Sequence, residues 1–400
     1  MFRTVLVGAL LTAMACSGQA ADPGVTDSEI KLGQTMPYSG PASGYAITGR
    51  VEAAYYDMIN AKGGVNGRKI KFISLDDAYS PSKTVEQTRK LVEQDEVFAI
   101  AGSLGTPTNS AVQRYLNNKK VPQVFISTGA SKWNNPKNYP YTLALYPPYR
   151  LEGATFARYL LANRPNAKVG TFSQNDDAGR DYLAGFKEAL GDKAATMIVK
   201  EVTYEPTDAT VDTQIVQLKA AGVDTLYTGG TSKYVAQVIR KVAELGWKPL
   251  NYVVSTGSSI KGVLEPAGIE NSKGVMTTLA YKTATDPRWQ GSADVKEFHQ
   301  FVKDWMPEAD LADGSLVTGY VSAFMTVKVL ELCGKDLTRE NFIKTATTLT
   351  KIEAPMLLPG ITITTRPDNY AAFSQMQMAR FDGASWVPEG PVISINDALR

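Results

Sequence analysis

The chain has 400 residues, more than one hydrophobic core usually serves, so two lobes are expected. Lys and Arg number 42 against 40 Asp and Glu, a near balance that excludes a strong field for nucleic acid or an anionic membrane surface. One histidine, His299, and two cysteines, Cys16 and Cys333, are too few for a His- or Cys-built metal site, and they leave no Ser-His-Asp arrangement elsewhere in the chain.

Residues 1–20 read as an export signal. Arg3 gives a positive start, Val5 to Ala15 is an apolar run too short to span a bilayer, and Gly18-Gln19-Ala20 supplies small residues at a cleavage site. The mature chain then begins near Ala21 in the periplasm, with Cys333 alone and no internal disulfide. Lipid attachment at Cys16 is the alternative, weakened by Ala13 where a lipoprotein signal usually has Leu. No later apolar stretch reads as long enough to cross a membrane.

Short β-rich runs then alternate with amphipathic helical ones, which predicts an α/β fold with parallel sheets covered by helices on both faces. The predicted strands are Ile30 to Thr35, Ile70 to Leu75, Val97 to Ala101, Gln123 to Ser127, Lys168 to Ser173, Thr196 to Val202, Asp224 to Thr228, Asn251 to Ser255 and Gly274 to Ala280. Between the first two, Ile47, Val51, Ala54, Tyr55, Met58 and Ile59 repeat at helical spacing until Gly63-Gly64. Another helix is expected over Thr231 to Leu245. Ala144-Leu145-Tyr146-Pro147-Pro148 interrupts the alternation as a stiff connector. The helical stretch Ser315 to Leu349 is expected to pack back on the first lobe, and Ser374 to Val387 to form a strand pair turning at Asp382-Gly383. The lobes expected are thus 21–144 with 281–372, and 145–280 with 373–400.

Nucleotide fingerprints of the Gly-x-Gly-x-x-Gly or Gly-x-x-x-x-Gly-Lys-Ser/Thr type do not occur. Ligands of open parallel sheets bind beyond the carboxyl ends of the strands, and six such exits are rich in Gly and hydroxyl residues. Three belong to the first lobe: Met36-Pro37-Tyr38-Ser39-Gly40-Pro41, Gly102 to Asn109, and Ser127-Thr128-Gly129-Ala130-Ser131. The second lobe supplies Ser173 to Gly179, Thr228-Gly229-Gly230-Thr231-Ser232 and Ser255-Thr256-Gly257-Ser258-Ser259. Any one such loop is adequately explained as helix cap or turn, but six at one end of the sheets point to a binding site for an anion. The exits around Thr108 and Ser131 are suited to a carboxylate, gripped by paired backbone and hydroxyl donors. Asp76-Asp77 and Asp176-Asp177 stand near strand ends without a nucleophile and base beside them, so turn and cap roles suffice and catalysis is not expected.

These loops resemble those of the leucine/isoleucine/valine-binding proteins of bacterial ABC transporters. Ser39-Gly40-Pro41, Ile59 to Gly67, Asp76-Asp77, Ile126 to Ser131 and Tyr227-Thr228-Gly229-Gly230 carry the likeness in order from about residue 28 to the late tail. The resemblance implies a type I periplasmic-binding fold, with two Rossmann-like lobes joined by three hinge crossovers. It also implies a monomer without cofactor or metal that closes on a small molecule and presents it to membrane permease subunits. The family's carboxylate-holding positions fall on Thr106, Thr108, Ala130 and Ser131, with Leu104 and Thr128 on the same loops, and Tyr45 matches a pocket tyrosine.

Three departures bear on the ligand. Ala178 stands where amino acid-binding members carry tyrosine, Thr231-Ser232 replace a tyrosine pair, and Thr256 replaces the acid that meets the substrate ammonium. An ammonium buried without a counter-charge costs several kcal/mol. The expected ligand is therefore a carboxylate lacking an amino group, an aromatic or other hydrophobic acid as in the aromatic-acid-binding members. Tyr38, Tyr45 and Tyr281 would wall the pocket, and hydroxyls of Thr231, Thr256 and Ser258 would receive a ring substituent. The alternatives are branched-chain or other amino acid binding by the same transporter type, and a periplasmic ligand sensor.

Overall fold

The computed structural model describes residues 22–398. The expected export signal, including Cys16, lies outside the described residues.

The first sheet has five parallel strands in the order β2-β1-β3-β4-β5: β1 Glu29–Met36, β2 Lys69–Asp76, β3 Ala99–Ala101, β4 Gln123–Ile126 and β5 Thr142–Ala144. The second has seven, in the order β12-β11-β10-β9-β8-β6-β7: β6 Val169–Gln174, β7 Ile198–Tyr204, β8 Thr225–Gly229, β9 Leu250–Val253, β10 Met276–Leu279, β11 Gln375–Phe381 and β12 Trp386–Ser394. β10–β11 and β11–β12 pair antiparallel and the others parallel. β6 and β8 are buried along their whole length, as strands covered by helices on both faces must be.

Ten helices matter here: α1 Ala46–Ala61, α2 Pro81–Glu93, α3 Thr106–Asn118, α4 Tyr149–Asn163, α5 Asp177–Leu190, α6 Asp212–Ala220, α7 Ser232–Glu244, α8 Ala293–Trp305, α9 Gly314–Cys333 and α10 Arg339–Ala346. α1 ends as its sequence predicts. Gly63 and Gly64 take φ of 111° and 80°, and the Gly64 amide donates to the Ile59 carbonyl at 2.9 Å. The predicted Ser315 to Leu349 stretch is two helices, because Gly334 at φ 61° closes α9. Both pack in the first lobe's core with Tyr55, Tyr56, Phe98 and Phe298.

α9 also corrects the expectation about membrane-length segments, since its 20 residues are long and apolar enough to cross a bilayer. It is apolar nearly all round because it is a core helix, buried on most sides, with Cys333 inside the same core.

The chain crosses between the sheets three times: after β5 through Leu145 to Pro148, after β10, and before β11. At the second crossing the Leu358 amide donates to the Ala280 carbonyl at 2.9 Å and the Lys282 amide to the Met356 carbonyl at 2.7 Å. β5 went unpredicted: three residues running into the Pro-Pro connector show no usable period.

Candidate functional site

Five of the six Gly- and hydroxyl-rich exits, all but Met36 to Pro41, contribute to one cavity between the sheets. It offers about 140 Å³ to the centre of a water-sized sphere, well beyond the ~10–15 Å³ that one water needs. Tyr45, just before α1, and Thr48 of α1 reach it, with Tyr79 from the exit of β2, and Leu104, Gly105, Thr106 and Ser127 from the exits of β3 and β4. The second lobe contributes Gln174, Ala178, Gly179 and Tyr182, then Gly229, Gly230 and Thr231, then Ser255, Thr256, Ser258 and Ser259. Tyr146 and Tyr149 enter from the first crossing, Tyr281 and Lys282 from the second.

Seven of the twelve residues expected at the site line this cavity: Tyr45, Leu104, Thr106, Ala178, Thr231, Thr256 and Tyr281. Five do not. The Tyr38 hydroxyl lies 2.6 Å from Ser74 Oγ at the flank of the first sheet. The Thr108 hydroxyl donates to the Leu104 carbonyl at 2.7 Å and the Gly105 carbonyl at 3.1 Å, closing the first turn of α3 on itself. Thr128 pairs its hydroxyl with that of Thr106 at 2.6 Å, one layer behind the wall, and Ala130 is packed in the core of the second lobe. Ser131 donates through its amide and its hydroxyl to the Asp181 carboxylate, the hydroxyl at 2.8 Å, and so ties the lobes together outside the cavity. These five were placed by loop position and by family resemblance, neither of which says where a side chain turns in this chain.

Aromatic residues that sequence reasoning did not place make much of the wall. Tyr149 stacks on Tyr182 with ring centroids 4.1 Å apart, and Tyr146 meets Tyr149 edge-on at 6.1 Å. They fill part of the room that Ala178 and Thr231 leave. Tyr79 is nearly buried at φ 57° beside Ala78 at φ 50°, a pair of left-handed residues that turns its ring into the cleft. Such backbone was not legible, because neither residue type favours it. Trp133 is buried with its indole N–H toward Thr128 Oγ1 at 3.3 Å.

Burial holds the wall phenols neutral. Desolvation raises Tyr45, Tyr79, Tyr146 and Tyr182, and pushes Tyr149 up to about 12. Each is a hydroxyl donor at neutral pH. Tyr45 works across the cleft: its hydroxyl accepts from the Ser232 amide at 3.0 Å and donates to the Thr256 carbonyl at 2.8 Å. The Thr256 hydroxyl faces Tyr182 at 3.4 Å.

Among the described residues, the cavity wall carries one charged side chain, Lys282, and it is paired with Asp294 at 2.6 Å. No acid lines the wall. Glu152 of α4 lies one layer behind it, fully buried, accepting from the Ser255 amide and, at 2.8 Å, from the Ser255 hydroxyl, with the Tyr252 hydroxyl at 3.1 Å. Burial pushes the Glu152 carboxyl up to about 7 against these bonds. The paired acids are structural: Asp76 accepts from Ser39, Asp77 from Tyr79 and Thr84, Asp176 from the Gly179 amide, and Asp177 bridges Lys132 and Arg180. Among the described residues, the cavity lining includes no Asp, Glu, His or Cys.

The chain is 24% identical over 286 residues to a protein from Pseudomonas aeruginosa named "Amino acid binding protein", covering 68% of this chain and 72% of that one. Its fold matches a branched-chain amino acid ABC transporter protein from Thermus thermophilus with bound valine at a TM-score of 0.82, with 15% identity and coverage of 92% and 97%. An ABC transporter solute binding protein from R. palustris in complex with benzoate matches at a TM-score of 0.77, with 17% identity and coverage of 92% and 99%. The family model described as "Periplasmic binding protein" spans residues 29–385, from β1 through β11 with all three crossings. The match covers most of the chain, and this chain belongs to the periplasmic binding protein family.

Proposed function

We propose that the protein is exported to the periplasm, holds an aromatic or other hydrophobic carboxylate without an α-amino group between its lobes, and delivers it to the permease of an ABC importer. One observation carries the choice of ligand: the cavity wall has no acidic side chain. An amino acid would bring an ammonium into a closed cleft whose only wall charge is a paired lysine, at a cost of several kcal/mol. A carboxylate instead meets the hydroxyls of Thr106, Ser127 and Thr231 and the start of α3, whose cap residue Gly105 leaves the first amides without a side-chain acceptor. The tyrosines and Leu104 suit an apolar body. The fold is neutral on this point, since it is shared by a protein with valine and one with benzoate.

A thermal-shift screen of the purified protein tests the proposal, because a ligand that binds only the folded state raises Tm. Aryl and alkyl carboxylates are expected to raise it, and leucine, isoleucine and valine to leave it unchanged. A rise with the amino acids and none with the acids overturns the ligand class. Mass analysis of the acid after incubation is expected to return it unaltered, as for a transport receptor.

A further inference from the structure

The cavity does not stop at the wall just described. The same cavity is also lined by Ile260, Leu279, Leu311, Val317, Met376 and Trp386, an apolar limb built from residues around the start of α9 and after β9 and β10. Both lobes form it. Its sides are fastened to each other: the Ser259 hydroxyl donates to Asp313 at 3.0 Å, the Lys261 amide to the Ala312 carbonyl at 3.1 Å, and the Lys261 ammonium lies 3.2 Å from Asp310. Within the second lobe the Trp386 indole N–H donates to the Ser258 carbonyl at 2.9 Å and so holds its ring. Small residues, Ala280, Ala284, Ala312 and Gly314, keep the limb from being filled.

We infer that the ligand is an elongated amphipathic acid, whose carboxylate lies at the hydroxyl end of the cavity while an apolar chain or chain-linked ring runs into this limb. The inference rests on the carboxylate reading above and narrows it. A single-ring acid would leave Leu279 and Leu311, the half-buried members of this lining, without an apolar partner. An acid with two to four methylenes between carboxylate and ring would cover them, and each buried methylene stabilises the complex by an amount equivalent to about a threefold to fourfold gain in affinity. The polar and apolar regions lie in one continuous cavity, so a single molecule spans both.

Calorimetric titration of the purified protein with benzoate, 3-phenylpropanoate and 4-phenylbutanoate tests this, repeated on Ala312→Phe and Thr318→Leu. Each variant projects bulk into the limb from the first lobe without touching the hydroxyl end. In the wild type, affinity is expected to climb at least tenfold from benzoate to 4-phenylbutanoate. Either variant is expected to erase that gain while leaving benzoate within about twofold, and thermal melts show which variant is folded. If the acids bind but affinity is flat along the series, or the variants leave the trend intact, the limb is not part of the ligand site and the carboxylate reading survives. If no acid of any length binds, the carboxylate reading falls and the inference falls with it.

Discussion

Glu152 shows how a single residue behind a binding wall sets the wall's response to pH. Its carboxyl is neutral in the folded protein up to about pH 7, whereas in the unfolded chain it ionises near its ordinary value of 4.5. Between these values the folded state holds a proton that the unfolded state has lost, so the Glu152 contribution to stability falls as pH rises through this window and levels off above it. The shift corresponds to about 3 kcal/mol. Glu152→Gln keeps an acceptor for the Ser255 amide and removes the titration. Urea melts at pH 5 and pH 8 are expected to show the variant gaining stability relative to wild type at the higher pH, and equal pH slopes for the two proteins would contradict this account. Glu52, bonded to Gln34 beside the first sheet, is also raised well above its usual range by burial, but lies away from the cavity wall.

The pair α4 and α5 illustrates how elements place side chains that no local pattern reveals. Gly153 and Gly185 let the two helices approach so closely that a Cβ on Gly153 would sit 2.2 Å from the Tyr182 carbonyl oxygen, and one on Gly185 2.1 Å from that of Arg150. These contacts are backbone, which cannot yield without moving a helix. α4 starts with Tyr149 and α5 carries Tyr182, so the same approach sets the 4.1 Å stack in the cavity wall. Gly185→Ala is expected to destabilise the protein by about 1–3 kcal/mol and to weaken acid binding by spreading that stack. Chemical melts and calorimetry check the two effects, and a variant of unchanged stability would show the helices to be less tightly apposed. At this scale the sequence was informative wherever periodicity ran long. α1 and α7 begin and end within a residue or so of their expected limits, and the late strand pair β11–β12 turns at Asp382-Gly383 as read. Tyr79 and the Tyr149–Tyr182 stack were not readable, since a left-handed tyrosine and a glycine-mediated helix contact leave no period in the chain.

Across the whole molecule, protein contacts bridge the cleft on both sides of the cavity. Tyr45 ties α1 to Ser232 and Thr256, while Ser131 and Lys132 reach Asp181 and Asp177. The Lys132–Asp177 pair is partly exposed and worth little by itself. The Tyr45 hydroxyl is another matter, because Tyr45→Phe leaves an amide and a carbonyl in the closed cleft without partners, at about 1–3 kcal/mol. That variant, and Asp181→Ala on the other side, are expected to populate an open form and release ligand about tenfold faster or more. Small-angle scattering of ligand-free protein and stopped-flow dissociation check this. A compact variant with wild-type release would place closure under the ligand's control alone.

From the residues came the α/β class, the expectation of two lobes and the end of the sheets where the cavity lies, while the family resemblance implied the periplasmic-binding fold and marked the missing acid at Thr256. These depend on local period, on strand exits sharing a direction and on residue identity, all of which are written along the chain. The tertiary structure decided which hydroxyls face the cavity and which cap helices or bind the opposite lobe, as Thr108 and Ser131 do. It also decided that Glu152 stands behind the wall and that an apolar limb extends it. Side-chain direction and cavity shape arise from contacts between segments hundreds of residues apart, and a loop's composition cannot distinguish a donor turned to its own helix from one turned to a ligand.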